Sequence, residues 1–186
     1  MTQQEKNQLF AKEFYPLADS LYNFAYRFAP NEDDAYDLVQ ETYLKAYRFI
    51  EKYKIGTNPK AWLFRILRNT FINNYRKNAK EPNKVDYQEV ERLHSSDAIT
   101  YTSASEVQSQ PLDTMLGDEI TLALNQLPVD FRVIILLADI EDFSYEEIAK
   151  IVDIPIGTVR SRLHRARLLL RDKLKKYAKT MGYQHA

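Results

Sequence analysis

Residues 144–167 read Ser144-Tyr145-Glu146-Glu147-Ile148-Ala149-Lys150-Ile151-Val152-Asp153-Ile154-Pro155-Ile156-Gly157-Thr158-Val159-Arg160-Ser161-Arg162-Leu163-His164-Arg165-Ala166-Arg167. Ser144 followed three residues later by Glu147 has the form of a capping box, in which the hydroxyl accepts from the Glu147 backbone and the carboxylate reaches back, so a helix begins there. It is short, because Pro155 cannot continue it and Gly157 permits a tight turn. The next helix is predicted from near Thr158 to about Lys179. Two helices joined by such a turn, the second longer and basic, form the arrangement that lets a recognition helix enter the major groove of DNA.

Along that second helix Val159, Leu163, Ala166 and Leu170 recur at steps of about one turn and make one apolar stripe to pack on the first helix. The other faces hold Thr158, Arg160, Ser161, Arg162, His164, Arg165 and Arg167, with Arg171, Lys173, Lys175, Lys176 and Lys179 continuing the basic run. Arginine bridges guanine N7 and O6 or grips phosphates, and Ser161 and His164 offer smaller contacts near the helix start. The plain alternative, a solvated basic face, lacks a reason for the cap, the turn and the length to coincide.

Upstream, helical patterns at Leu112 to Leu127 and Val129 to Ile140 complete a four-helix C-terminal domain. Before them, from Lys80 to Asp113, the periodicity dissolves among Pro82, Pro111 and many Ser and Thr. Carboxylates from Glu81 to Glu119 are opposed only by Lys84 and Arg92, which predicts an acidic, flexible linker. From Phe10 to about Tyr53 helical spacing is broken once, at Pro30, after which Asn31 is a plausible cap for a helix running to about Lys52. Its inward stripe is Ala35, Leu38, Thr42, Ala46, Phe49 and Tyr53. Asp37, Gln40, Glu41, Leu44, Lys45 and Arg48 cover the other side, and Leu44 amid polar groups marks a docking surface. Asn58 and Pro59 then start a third helix to about Lys77. It places Trp62, Leu63, Ile66, Leu67, Thr70 and Phe71 toward the core and Arg65, Arg68, Asn69, Asn73, Arg76 and Lys77 elsewhere. No carboxylate occurs between Lys60 and Lys80; a basic, asparagine-bearing helix can grip a backbone and hold unstacked bases.

The expected fold is all-α, with domains at 1–79 and 112–186 and the linker at 80–111. Only four glycines and 28% charged residues favour helices over turn-rich sheets. The absence of cysteine removes disulfides, thiolate ligands and a cysteine nucleophile, and fits a reducing cytoplasm. His94, His164 and His185 have no metal-ligand spacing, and there is no glycine-rich phosphate loop. No cofactor, enzymatic activity, membrane insertion or export is expected. A net charge of zero gives no bulk sign of a polyanionic partner, so the signal lies in where the charges fall.

Asp37-Leu38-Val39-Gln40-Glu41-Thr42-Tyr43-Leu44-Lys45-Ala46-Tyr47, then Ala61-Trp62-Leu63-Phe64-Arg65-Ile66 with Arg68-Asn69-Thr70, resembles region 2 of the extracytoplasmic-function (ECF) sigma factors. Leu127-Pro128, Ser144 to Ala149 and Ile154 to Arg167 resemble region 4 of the same family, in the right order. The resemblance implies a bacterial transcription initiation factor that docks Asp37, Gln40, Glu41, Leu44 and Lys45 on core RNA polymerase. It implies that the Trp62 helix, through Arg65, Arg68, Asn69, Asn73, Arg76 and Lys77, binds the promoter −10 element and traps a flipped base. Thr158 to Arg167 would read the −35 element, with His164 where the family often carries a larger residue. An anti-sigma factor is a further implied partner. Two rivals are a stand-alone helix-turn-helix regulator, which would share only Ser144 to Arg167, and a Mg²⁺ nuclease built on Asp34, Asp37 and Glu41.

Overall fold

A computed structural model describes residues 1–29, 31–80 and 118–182, all of whose regular elements are helical. The linker expected at 80–111 and the helix start expected at Leu112 fall outside those residues, apart from Lys80, which ends a helix.

Thr2 and Glu5 form a capping box that starts α1, Gln3–Glu13. Pro16 then breaks the pattern that was expected to run unbroken to Pro30: it lacks an N–H and crowds the residue before it. The chain passes through a single 3₁₀ turn, Tyr15–Leu17, into α2, Ala18–Tyr26. Asn31 caps α3, Glu32–Arg48, by accepting from Asp34 N at 2.8 Å. Glu32, Asp33 and Asp34 in its first turn and Lys45 and Arg48 in its last complement the helix dipole. α3 is shorter than expected, and Ile50–Lys52 is a separate 3₁₀ turn. Asn58 Oδ1 accepts from Ala61 N at 3.1 Å and starts α4, Pro59–Lys80.

Of the α3 stripe, Ala35, Leu38, Thr42 and Ala46 are buried, together with Val39 and, beyond the helix, Tyr53. Phe49 departs from it: the ring is 41% exposed, with Arg48 and Lys52 over its face. Trp62 is partly buried against the core, its ring 5.3 Å from those of Phe14 and Tyr53.

The second unit comprises α5, Asp118–Asn125, and α6, Val129–Ile135, followed by α7, Tyr145–Val152, and α8, Ile156–Thr180. α6 widens at its end into a π turn, Leu136–Ile140. α5, α6 and α7 all pack on α8, which buries Val159, Leu163 and Ala166 and half-buries Leu170. The capping box forms as read: Ser144 N donates to Glu147 at 2.9 Å and Glu147 N donates to Ser144 Oγ at 3.3 Å. The turn is made differently. Asp153, at φ 56°, takes the left-handed position that closes α7, a conformation open to Asp through local hydrogen bonding. Gly157 lies inside α8, which starts at Ile156, two residues before the expected Thr158.

The two units do not keep separate cores. Phe64, outside the expected apolar stripe of α4, is fully buried with its ring 5.0 Å from Phe24 and 5.3 Å from Phe143 of the second unit. One apolar cluster therefore runs through both, and α4 packs directly on α7.

Candidate nucleic-acid interface

Helix α4 buries Leu63, Phe64, Leu67 and Thr70 and turns Arg65, Asn69, Asn73, Arg76 and Lys77 to solvent. Such a face, cationic and amide-bearing, suits a nucleic-acid strand. Arg68 differs. It is half-buried, donates to Asn69 Oδ1 at 3.1 Å, and has its proton affinity lowered mainly by burial, against the attraction of Asp130 and Asp153. Those aspartates belong to the second unit, so Arg68, partly exposed, lies within reach of that unit's charges.

On α8, Arg160, Ser161, His164 and Arg165 are exposed on successive outward positions, and Thr158 is half-exposed at the helix start. The Ser161 hydroxyl donates to Thr158 O at 3.1 Å. Arg162 and Arg167, expected among the DNA-facing cations, are held within their own domain. Arg162 NH1 donates to Asp130 at 3.1 Å, and Arg167 grips Asp139 through Nε and NH2, which raises its already high proton affinity. Both guanidinium groups tie α8 to the α6 segment, and among the described residues the exposed cations of the helix start that carry no ion pair are Arg160 and Arg165.

The outward side of α3 carries Asp37 and Gln40, both exposed, and Leu44, which is 71% exposed. Glu41 and Lys45 are half-buried and paired at 2.7 Å. Asn74 donates to Glu41 at 3.0 Å and Lys45 Nζ donates to Thr70 Oγ1 at 3.1 Å, so the pair braces α3 against α4. Hydrogen bonds from Lys45 and Asn74 hold the Glu41 carboxyl below the ordinary glutamate value. Asn74 was not singled out from the sequence; its only signal was a place one turn beyond Thr70.

The carboxylates of the nuclease rival do not converge. Asp34 accepts from Asn31 at 2.9 Å and Glu41 is committed to Lys45, and no group of three His, Cys, Asp or Glu able to hold a metal ion occurs among the described residues. No described helix is long and apolar enough to cross a membrane.

Residues 15–81 match the family model for sigma-70 region 2, and residues 117–170 match that for sigma-70 region 4. The first contains all the α3 and α4 residues above; the second contains Thr158 to Arg167. Among curated relatives, the ECF RNA polymerase sigma factor EcfG of Rhodopseudomonas palustris is 41% identical over 150 residues, covering 80% of this chain and 75% of that protein. SigW of Bacillus subtilis is 33% identical, covering 84% of each. SigE of Mycolicibacterium smegmatis is 37% identical over 87% of this chain, which spans 60% of that relative's length. Among solved structures, the sigma factor RpoE of Bartonella quintana, in complex with the anti-sigma factor NepR, superposes with a TM-score of 0.64 at 34% identity, covering 94% of this chain and 98% of that one. CnrH, solved with the cytosolic domain of CnrY, shares the fold at a TM-score of 0.60 and 23% identity.

Proposed function

This chain belongs to the ECF RNA polymerase sigma factors, and from that premise we propose that it binds core RNA polymerase, directs it to promoters and assists their melting. The observation that supports this best is the order of the surfaces: an outward α3 face with exposed Leu44, a carboxylate-free basic face on α4, and a capped helix-turn-helix with Arg160 and Arg165 outermost. Asp37, Gln40, Glu41, Leu44 and Lys45 form the polymerase-facing set. Arg65, Arg68, Asn69, Asn73, Arg76 and Lys77 serve the −10 element, and Thr158, Arg160, Ser161, His164 and Arg165 the −35 element. Arg162 and Arg167 hold α8 in place for them.

The work is positioning and strand capture. Cations neutralise phosphate charge, base-edge contacts select the sequence, and the exposed Asn69 amide receives a base whose unstacking costs a few kcal/mol. Bond formation is left to the polymerase. The factor acts wherever that enzyme acts, which is the cytoplasm, and the family likeness supports an anti-sigma factor as a second protein partner. The functional domains are 1–79 and 112–186, connected by 80–111.

Run-off transcription with core polymerase over a genomic promoter library tests the reading: the full chain should give discrete transcripts sharing two upstream elements. Transcripts identical with and without the chain would sink it. DNA binding that is unaffected by core polymerase would favour the stand-alone regulator.

A further inference from the structure

Arg68 and Asn69 are neighbours on α4 whose side chains are not independent: Arg68 NH1 donates to Asn69 Oδ1 at 3.1 Å. A guanidinium carries only N–H donors in a rigid fork and has no acceptor, so the carboxamide meets it through oxygen. Turned by half a rotation, the amide would set N–H against N–H. The Nδ2 amine and its donors are therefore directed away from Arg68. Asn69 is the exposed member of the pair and Arg68 the half-buried one, so an incoming strand meets the amide first, with the guanidinium behind it. Along the helix Asn69 shares a strip with Arg65, Asn73 and Arg76, at steps of four, four and three, all exposed. Cations at the ends of that strip suit phosphates and leave the amides between them for bases.

We propose that Arg68 is a positioning residue that makes Asn69 a hydrogen-bond donor toward the promoter strand, so that the site on α4 takes an unpaired base by its acceptor edge. The inference rests on the assignment of α4 to the −10 element and adds to it which chemical edge is read. An amide free to turn offers either its oxygen or its amine and discriminates little between bases. An amide tied by its oxygen offers donors. Cytosine presents two adjacent acceptors, N3 and O2, on the edge that pairing normally covers; guanine presents two adjacent donors there, N1–H and the N2 amine. Thymine and adenine alternate the two kinds of group. Against a donating amide cytosine is satisfied, whereas guanine sets donors against donors, each costly where water is shut out. A mismatch of that kind discriminates more than the loss of an apolar contact does. Both residues belong to α4, so the bond between them needs no other element to form.

The test uses holoenzyme formed with the full chain and fork-junction DNA whose non-template strand is single over the −10 element. An abasic scan of that strand finds the base whose loss weakens binding most, and forks are then made with cytosine or guanine at that position. Wild type should prefer cytosine by about tenfold, the size expected of mismatched polar groups that keep some solvent. Arg68→Ala, which frees the amide to turn, should cut the ratio to about twofold or less, and Arg68→Lys, still a donor, should hold it within about twofold of wild type. Arg68→Glu should reverse it, since a carboxylate accepts from Nδ2 and turns the oxygen outward. Ratios are compared and not affinities, because removing a cation weakens binding to every fork alike. Circular dichroism checks the folding of each variant. Asn69→Asp, which leaves Arg68 in place and carries acceptors alone, should also abolish the cytosine preference. A wild type that does not prefer cytosine, or equal ratios in wild type, Arg68→Ala and Arg68→Glu, overturns the role of Arg68. Holoenzyme that transcribes from no promoter and distinguishes no fork sinks the promoter-directing reading itself, and this inference with it.

Discussion

Asn58 and Glu147 cap different helices and hydrogen-bond each other: Asn58 Nδ2 donates to Glu147 Oε1 at 2.6 Å. The same asparagine caps α4 through Ala61 N, and the same glutamate closes the capping box of α7. The starts of α4 and α7 are thereby joined. Burial alone would raise the Glu147 carboxyl, but hydrogen bonds from the Ser144 backbone, Asn58 and the Ser144 hydroxyl hold it below its ordinary value of 4.5. A carboxyl lowered by folding contributes stability that is complete above the unfolded value and disappears as pH falls through the folded one. Glu147→Ala should therefore destabilise the protein near neutrality by about 1 kcal/mol, or roughly 2–4 °C in Tm for a chain of this size. The gap from wild type should close as the pH falls below that ordinary value and through the lower folded one. Thermal melts followed by circular dichroism from pH 3 to 7 check it, and parallel curves for the two proteins would contradict the linkage.

Leu44 and Glu41 separate binding from stability on the α3 face. Leu44 touches little of its own fold at 71% exposure, so Leu44→Asp should change stability by less than about 0.5 kcal/mol. It should nevertheless weaken core-polymerase binding by more than about 1 kcal/mol if the side chain fills a pocket there. Glu41→Lys breaks the brace to Lys45 and Asn74 and should reduce both. Affinity measured by fluorescence anisotropy beside a thermal melt distinguishes the two, and wild-type affinity in Leu44→Asp would remove that residue from the contact.

The local signals were legible in the sequence and the remote ones were not. The capping box at Ser144 and Glu147, the caps at Asn31 and Asn58 and the α8 stripe through Val159, Leu163 and Ala166 depend on residues within a turn or two of each other, so composition and spacing expose them. The hidden features join residues far apart in the chain. Phe64 sits off its helix's apolar stripe because the second unit covers it, and nothing near Glu141 announces Lys60 or Ser20 as partners. Arg162 and Arg167 looked free because Asp130 and Asp139 lie on another helix segment. Gly157 drew the turn toward itself, whereas Asp153 supplies the left-handed residue.

Asn69 is exposed on α4, with its side-chain oxygen accepting from Arg68. A small polar group there has value only after a base has left the stack. Asn69→Ala should thus leave closed-complex affinity within about twofold while reducing promoter opening by tenfold or more, the equivalent of at least about 1.4 kcal/mol. Permanganate footprinting of the holoenzyme on a cognate promoter reports the opened thymines. Normal reactivity in the mutant would assign the base pocket elsewhere on α4.

Arg160 and Arg162 are two residues apart on α8 yet are expected to fail in opposite ways. Arg160 is exposed near the helix start, where a guanidinium can reach a base edge, while Arg162 is held at 3.1 Å by Asp130. Loss of a bidentate base contact costs about 1–3 kcal/mol of discrimination; loss of a partly exposed ion pair costs about 0–1 kcal/mol of stability and carries no sequence information. In holoenzyme formed with the full chain, Arg160→Ala should lose about 1–3 kcal/mol of the preference for the cognate over a scrambled upstream element, whereas Arg162→Ala should keep the wild-type preference and melt slightly earlier. Both are read from one competition assay at fixed salt, because phosphate contacts make every affinity fall as salt rises. If Arg160→Ala weakened the two duplexes equally, the residue would be a phosphate anchor. If Arg162→Ala lost the preference, its pairing with Asp130 would have to break on DNA, and the division of labour along α8 drawn from the free protein would be wrong.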